Sequence, residues 1–204
     1  MIGPLHVISD PQAGCDVLEQ ARVAAWGGAW AVQLRDKEAS DALMVQMARE
    51  ILDCLAPFGV RLIVNDRVEV ACQVGAHGVH IGQMDGDPIQ VRQRIGPDML
   101  LGLSIENTEQ AYAMPRGIVD YVGAGPIRGT SSKPDHAAPI GFDGLARIAR
   151  LVSVPVIAIG GLAAPDIPGL IAAGAKGMAV MSAASRASSP EAAIRKMAAG
   201  WDGL

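Results

Sequence analysis

The sequence predicts an α/β fold, a single (β/α)₈ TIM barrel with parallel strands that takes up residues 1–204 as one domain. Eight short runs rich in β-branched residues alternate with Ala-rich helical stretches, which is the rhythm of repeated βα units. Half of the residues are hydrophobic and only 3% are aromatic, so Ala, Val, Ile, Leu and Met must build the interior. That composition suits helices packed on a buried parallel sheet. A length of 204 residues fits one core and lies near the lower limit of roughly 200 for eight such units. An open doubly wound sheet is the competing architecture. Its usual Gly-x-Gly-x-x-Gly between first strand and first helix is missing here.

The strands are expected, in order, at Leu5 to Ser9, Ala29 to Leu34, Arg61 to Val64, Gly78 to Ile81, Leu100 to Leu103, Tyr121 to Ala124, Val156 to Ile159 and Met178 to Met181. Eight helical segments fit between and after them. Asn107-Thr108-Glu109-Gln110 has the spacing of a capping box, and Ser189-Pro190-Glu191 puts Pro at the first helical position. The three cysteines, Cys15, Cys54 and Cys72, fall in stretches that read as helix, lack Cys-x-x-Cys spacing and suit plain packing in a reducing, cytoplasmic setting.

A net charge of −4 with 17 scattered basic residues offers no stripe for nucleic acid. The N-terminus lacks a basic start followed by a long apolar segment, so no signal peptide is expected, and no apolar run reaches a membrane span. Small-molecule ligands remain as partners; a homo-oligomer is compatible with all of this.

Catalytic groups of a closed parallel barrel come from the C-terminal ends of its strands. After the second strand stand Gln33, Arg35 and Lys37, spaced by two, with Trp30, Val32 and Leu34 expected to face the helices. The third strand leads into Asn65-Asp66 and the fourth into Gly82-Gln83-Met84-Asp85. Two carboxylates on neighbouring strand ends suit Mg²⁺, which takes one or two of them and fills its shell with water and substrate phosphate. A helix cap for Asp66 and a turn for Asp85 are the plainer readings. Ser104 ends the fifth strand, without a His or Asp at nucleophile spacing. The sixth is followed by a long loop in which Thr130, Ser131 and Ser132 offer hydroxyls and Lys133 a charge, a set fitted to phosphate. Gly160-Gly161 and Met181-Ser182 end the last two strands, where barrels commonly bind phosphate through backbone N–H groups.

These segments, taken in order, resemble the thiamine-phosphate synthase family from about Leu5 to Ser182. The resemblance is carried by Gln33-Leu34-Arg35-Asp36-Lys37, Val64-Asn65-Asp66-Arg67, Gly78 to Asp85, Gly125-Pro126-Ile127 with Thr130 to Lys133, Ala158 to Gly161, and Ala179 to Ser182. It implies a transferase of thiamine biosynthesis that joins hydroxymethylpyrimidine diphosphate to a thiazole phosphate on Mg²⁺ and releases pyrophosphate by a dissociative route. Carried over by position, Gln33, Arg35, Lys37, Asn65, Ser104 and Lys133 would hold the pyrimidine diphosphate. Asp66 and Asp85 would bind the metal, and Arg35, Lys133 and Ser104 would serve catalysis. Thr130, Ser131, Ser132, Gly161, Met181 and Ser182 would take the thiazole phosphate. No histidine is expected to catalyse; His6, His77, His80 and His136 read as neutral, hydrogen-bonded groups. The loop departs from the family at Arg128-Gly129, where an aromatic residue and Pro are more usual. A thiazole tautomerase on the same barrel and a non-catalytic phosphate sensor are the rival readings.

Overall fold

Why the barrel closes is visible in the alternation along each strand. The computed structural model describes residues 1–129 and 138–201. Its strands are β1 (Leu5–Ile8), β2 (Ala31–Leu34), β3 (Arg61–Asn65), β4 (Gly78–Ile81), β5 (Leu100–Ile105), β6 (Tyr121–Ala124), β7 (Val156–Ile159) and β8 (Gly177–Val180). They form one closed ring in sequence order. β1 pairs in parallel with both β2 and β8, so the expected barrel is present and the open sheet is excluded.

Side chains one residue apart point to opposite faces. Leu5 and Val7, Val32 and Leu34, Leu62 and Val64, and Met178 and Val180 join the large core between sheet and helices. The alternate set, represented by Ile8, Tyr121, Ile157 and Ala179, packs inside the ring as a second, smaller cluster. Polar groups that follow this inner set therefore open at the mouth.

Around the ring lie α1 (Val17–Trp26), α2 (Asp41–Leu55), α3 (Val68–Val74), α4 (Pro88–Ile95), α5 (Thr108–Ala113), α6 (Gly141–Leu151), α7 (Ile167–Ala172), α8 (Ser182–Ser185) and α9 (Pro190–Ala199). In α2 the buried face is Met44, Val45, Ala48, Ile51 and Leu55, a helical spacing, and Ser40 caps its start by accepting from Leu43 N. Asn107 caps α5 by accepting from Gln110 N, as its spacing predicts. The last unit is divided: α8 ends at Ser185, and α9 begins afresh at Pro190.

Three local expectations are corrected. Trp30, just before β2, does not join the helix-facing core with Val32: its ring lies 4.9 Å from that of His6 and takes the Arg61 guanidinium at 4.7 Å. Cys15 precedes α1 and is exposed, since Asp16 is the helix cap. β5 continues past Leu103 to Ile105, which adds two positions to that strand end.

Candidate active site

A cavity of about 470 Å³ opens at the C-terminal end of the barrel, within the usual range of roughly 300–1,000 Å³ for small-molecule sites. Gln33, Arg35, Lys37, Asn65, Asp85, Ser104, Gly161, Met181 and Ser182 all line it. The structure thus brings together side chains from the ends of β2 to β5 and backbone from the ends of β7 and β8. Thr130, Ser131, Ser132 and Lys133, with His136, lie outside the described residues.

The β2 end is held by its neighbours. Asn65 Nδ2 donates to Gln33 Oε1 at 3.2 Å, which leaves the Gln33 amide NH₂ to serve as donor. Ser9 Oγ accepts from Arg35 N at 2.8 Å and donates to Arg35 O at 3.1 Å, fixing the backbone from which the guanidinium projects. Arg67 donates to the carbonyls of Asp36 and Ala39 at 3.4 and 2.9 Å and pairs with Asp41, fastening the loop after β2.

Asp66 is the one non-glycine residue with positive φ, 50°, among the described residues. Such an outlier at a strand end is characteristic of sites that aim a side chain. It does not line the cavity itself. Its carboxylate pairs with Lys37 Nζ, and Arg67 Nε lies 3.9 Å away. It is not a helix cap either: α3 starts after Arg67 with no side-chain cap. Asp85 does close its own turn, accepting from Gly82 N at 2.7 Å through Oδ2, and still faces the cavity.

Asp66 and Asp85 are hard oxygen donors. No group of three or more His, Cys, Asp or Glu suited to a metal occurs among the described residues. That donor set matches an ion that needs one or two carboxylates and draws its remaining ligands from water and substrate, the habit of Mg²⁺.

On the opposite side two glycines shape the wall. Gly160 and Gly161 have φ of 101° and 63°. A Cβ at Gly160 would lie 2.5 Å from Pro126 Cβ, and one at Gly161 would lie 3.0 Å from Arg128 Cβ. Ile127 N donates to Ile159 O at 2.8 Å and Arg128 N to Gly160 O at 3.1 Å, so the chains leaving β6 and β7 run side by side. Arg128, the family departure, is bound to Asp166 at 2.6 Å and lies over the Phe142 ring at 5.6 Å. At the β8 end, α8 begins at Ser182, and its first N–H groups lack partners within the helix.

The floor contains His6, His80 and Tyr121. Burial pushes the imidazole of His6 down to about 3, with His80 adding to the effect, and that of His80 down to about 4 against the opposing pull of Asp85. Both are therefore neutral near pH 7, and burial raises the Tyr121 phenol. His77 Nδ1 accepts from Leu62 N at 3.1 Å, a structural role.

Sequence reasoning missed Glu106 and Tyr121 as lining residues. Both follow from the period of two: Glu106 shares its face with Gly102 and Ser104 once β5 is given its full length, and Tyr121 shares its face with Gly123 and Gly125.

A model of the thiamine monophosphate synthase family matches residues 5–184. A thiamine-phosphate synthase of Azorhizobium caulinodans is 43% identical over 181 residues, 88% of this chain and 85% of that protein. One of Chloroflexus aurantiacus is 46% identical over 183 residues, 90% of this chain and 83% of that protein. Among solved structures, a thiamine phosphate pyrophosphorylase from Pyrococcus furiosus superposes with a TM-score of 0.88 at 30% identity, covering 98% of this chain and 95% of that one. A 3-hexulose-6-phosphate synthase, 18% identical with a TM-score of 0.65, shares the fold.

Proposed function

The chain belongs to the thiamine-phosphate synthase family, transferases of thiamine biosynthesis, and from that premise we propose how its barrel mouth divides the work. Hydroxymethylpyrimidine diphosphate binds against the ends of β2 to β5. The thiazole phosphate binds against the ends of β6 to β8. The observation that carries this reading is the cavity itself, which has Arg35, Lys37 and Asp85 on one wall and Gly161 and Ser182 on the other.

Asp66 and Asp85 would hold Mg²⁺, which when bound supplies positive charge to the diphosphate as it departs. Lys37 now pairs with Asp66, so binding redistributes that cation from carboxylate to diphosphate. Gln33, with Asn65 holding its carbonyl, presents donors to the pyrimidine, and Ser104 meets the same ring. Arg35 and Lys133 stabilise the negative charge that grows on the leaving diphosphate, an electrostatic contribution that needs no strong base. Thr130, Ser131 and Ser132, with Gly161, Met181 and Ser182, receive the thiazole phosphate and hold the thiazole nitrogen toward the pyrimidine carbon that loses its diphosphate. The walls keep water from that carbon. We place the reaction in the cytoplasm, in keeping with the three free cysteines.

The test is turnover. Purified protein supplied with both substrates and Mg²⁺ is expected to form thiamine phosphate and pyrophosphate in equal amounts, and EDTA is expected to stop it. No product in the first reaction would remove the synthase reading; an unchanged rate with EDTA would remove the metal.

A further inference from the structure

Beneath the mouth, three strands bring together a hydrogen-bonded row that the roles above leave unused. In the sheet register His80 of β4 stands beside Gly102 of β5, and Gly102 stands beside Tyr121 of β6. With no side chain on Gly102, His80 and Tyr121 meet across β5, the Tyr121 hydroxyl lying 3.1 Å from His80 Nδ1. A Cβ on Gly102 would stand 2.5 Å from that hydroxyl oxygen and closer still to Nδ1. The second ring nitrogen, Nε2, lies 3.0 Å from Ser104 Oγ. Ser104 is on the inner face of β5, two residues beyond Gly102, and borders the cavity.

The His80 ring is buried between two uncharged hydroxyls, and a neutral imidazole there carries one N–H. Either the phenol donates to Nδ1 and Nε2–H donates to Ser104, or Ser104 donates to Nε2 and Nδ1–H donates to the phenol oxygen. The second arrangement strands the phenolic hydrogen, because His80 is the hydroxyl's one hydrogen-bond partner among the described residues and Tyr121 is only 1% exposed. A buried donor without an acceptor is costly. The first arrangement leaves no such hydrogen: the last free donor is the Ser104 hydroxyl, which opens on the cavity.

We propose that His80 is a positioning residue, held by the Tyr121 hydroxyl in its Nε2–H tautomer, so that it donates to Ser104 Oγ and turns the Ser104 hydroxyl hydrogen into the cavity. Ser104 thereby becomes a committed donor, strengthened by the bond it accepts. What it reads is an in-plane lone pair on an aromatic ring, such as a pyrimidine ring nitrogen. That identification rests on the function proposed above, whereas the tautomer does not.

Two measurements separate these layers. In protein labelled with ¹⁵N-histidine, long-range ¹H–¹⁵N correlations near pH 7 are expected to show His80, assigned by loss of its signals in His80→Gln, as the Nε2–H tautomer. An Nδ1–H tautomer would overturn the proposal whatever the enzyme does. Kinetically, Tyr121→Phe keeps the ring and removes the donor, so KM for the pyrimidine diphosphate should rise roughly three- to tenfold, the worth of one neutral hydrogen bond, while kcat changes less. In a Ser104→Ala background the same change should add nothing. Equal losses in both backgrounds would mean that Tyr121 only packs, and would overturn the relay. A wild-type protein without turnover would remove the synthase reading alone, and the spectrum would still decide the tautomer.

Discussion

The two walls of the cavity are built from different material. From β2 to β5 the surface carries polar side chains held by hydrogen bonds and ion pairs: Asn65 on Gln33 within the wall, and Lys37 on Asp66 and Arg67 across the loop after β2 behind it. At the ends of β6 to β8 the described surface is shaped by Gly160 and Gly161 lying against Pro126 and Arg128, with Leu162 and Met181 beside them. A side-chain wall can lose one group and keep its shape. A wall shaped by glycines cannot gain one, because an added Cβ displaces a neighbouring chain. Substitutions should therefore separate chemistry from stability on the first wall and abolish both together on the second.

The largest expected effect bears on neither wall but on the floor they share. His6 and His80 sit in the fold with pKa values of about 3 and about 4, below the ordinary 6.5. Below pH 6.5 the unfolded chain binds protons that the folded one refuses, so stability is full above that point and falls steadily toward about pH 3. Urea titrations across this range should show the loss, and His80→Gln should flatten part of it. Next comes Gly160→Ala. With φ of 101° and Pro126 Cβ at 2.5 Å from the new methyl group, it should cost about 3 kcal/mol in urea unfolding and weaken binding of the phosphate substrate as well. Asp85→Ala is smaller in stability, within about 1 kcal/mol, yet the Mg²⁺ concentration for half-maximal rate should rise about tenfold or more, as activity titrations would reveal. A matching loss of stability in Asp85→Ala would break the contrast between the walls. Arg128→Ala is expected to cost about 1 kcal/mol, since the ion pair with Asp166 is half exposed on the arginine side.

The same contrast explains what could be read from the sequence. The barrel follows from alternation and strand count, which depend on local chemistry repeated eight times. The polar wall was legible too, because Gln33, Arg35 and Lys37 keep the period of two beyond their strand. Asp66 was legible as a carboxylate but not as the partner of Lys37, a contact between neighbouring strand ends that the β2–β3 pairing creates. Glu106 was overlooked because the extent of β5 depends on pairing with β6 rather than on its own residues. Trp30 was placed with the helix-facing core by alternation alone, whereas its ring meets His6 and Arg61. The meeting of His80 and Tyr121 depends on the missing side chain of Gly102, which no periodicity records. Arg128 had no evident partner in sequence, and its partner Asp166 comes from the next loop over.

The division of the cavity into two independent binding walls is tested most directly by calorimetric titration of the thiazole phosphate into the Asp85→Ala, Lys37→Ala double variant. Affinity within about threefold of wild type is expected, with binding of the pyrimidine diphosphate in Mg²⁺ reduced at least about tenfold, the worth of roughly 1.4 kcal/mol. Parallel loss of both ligands would contradict the division.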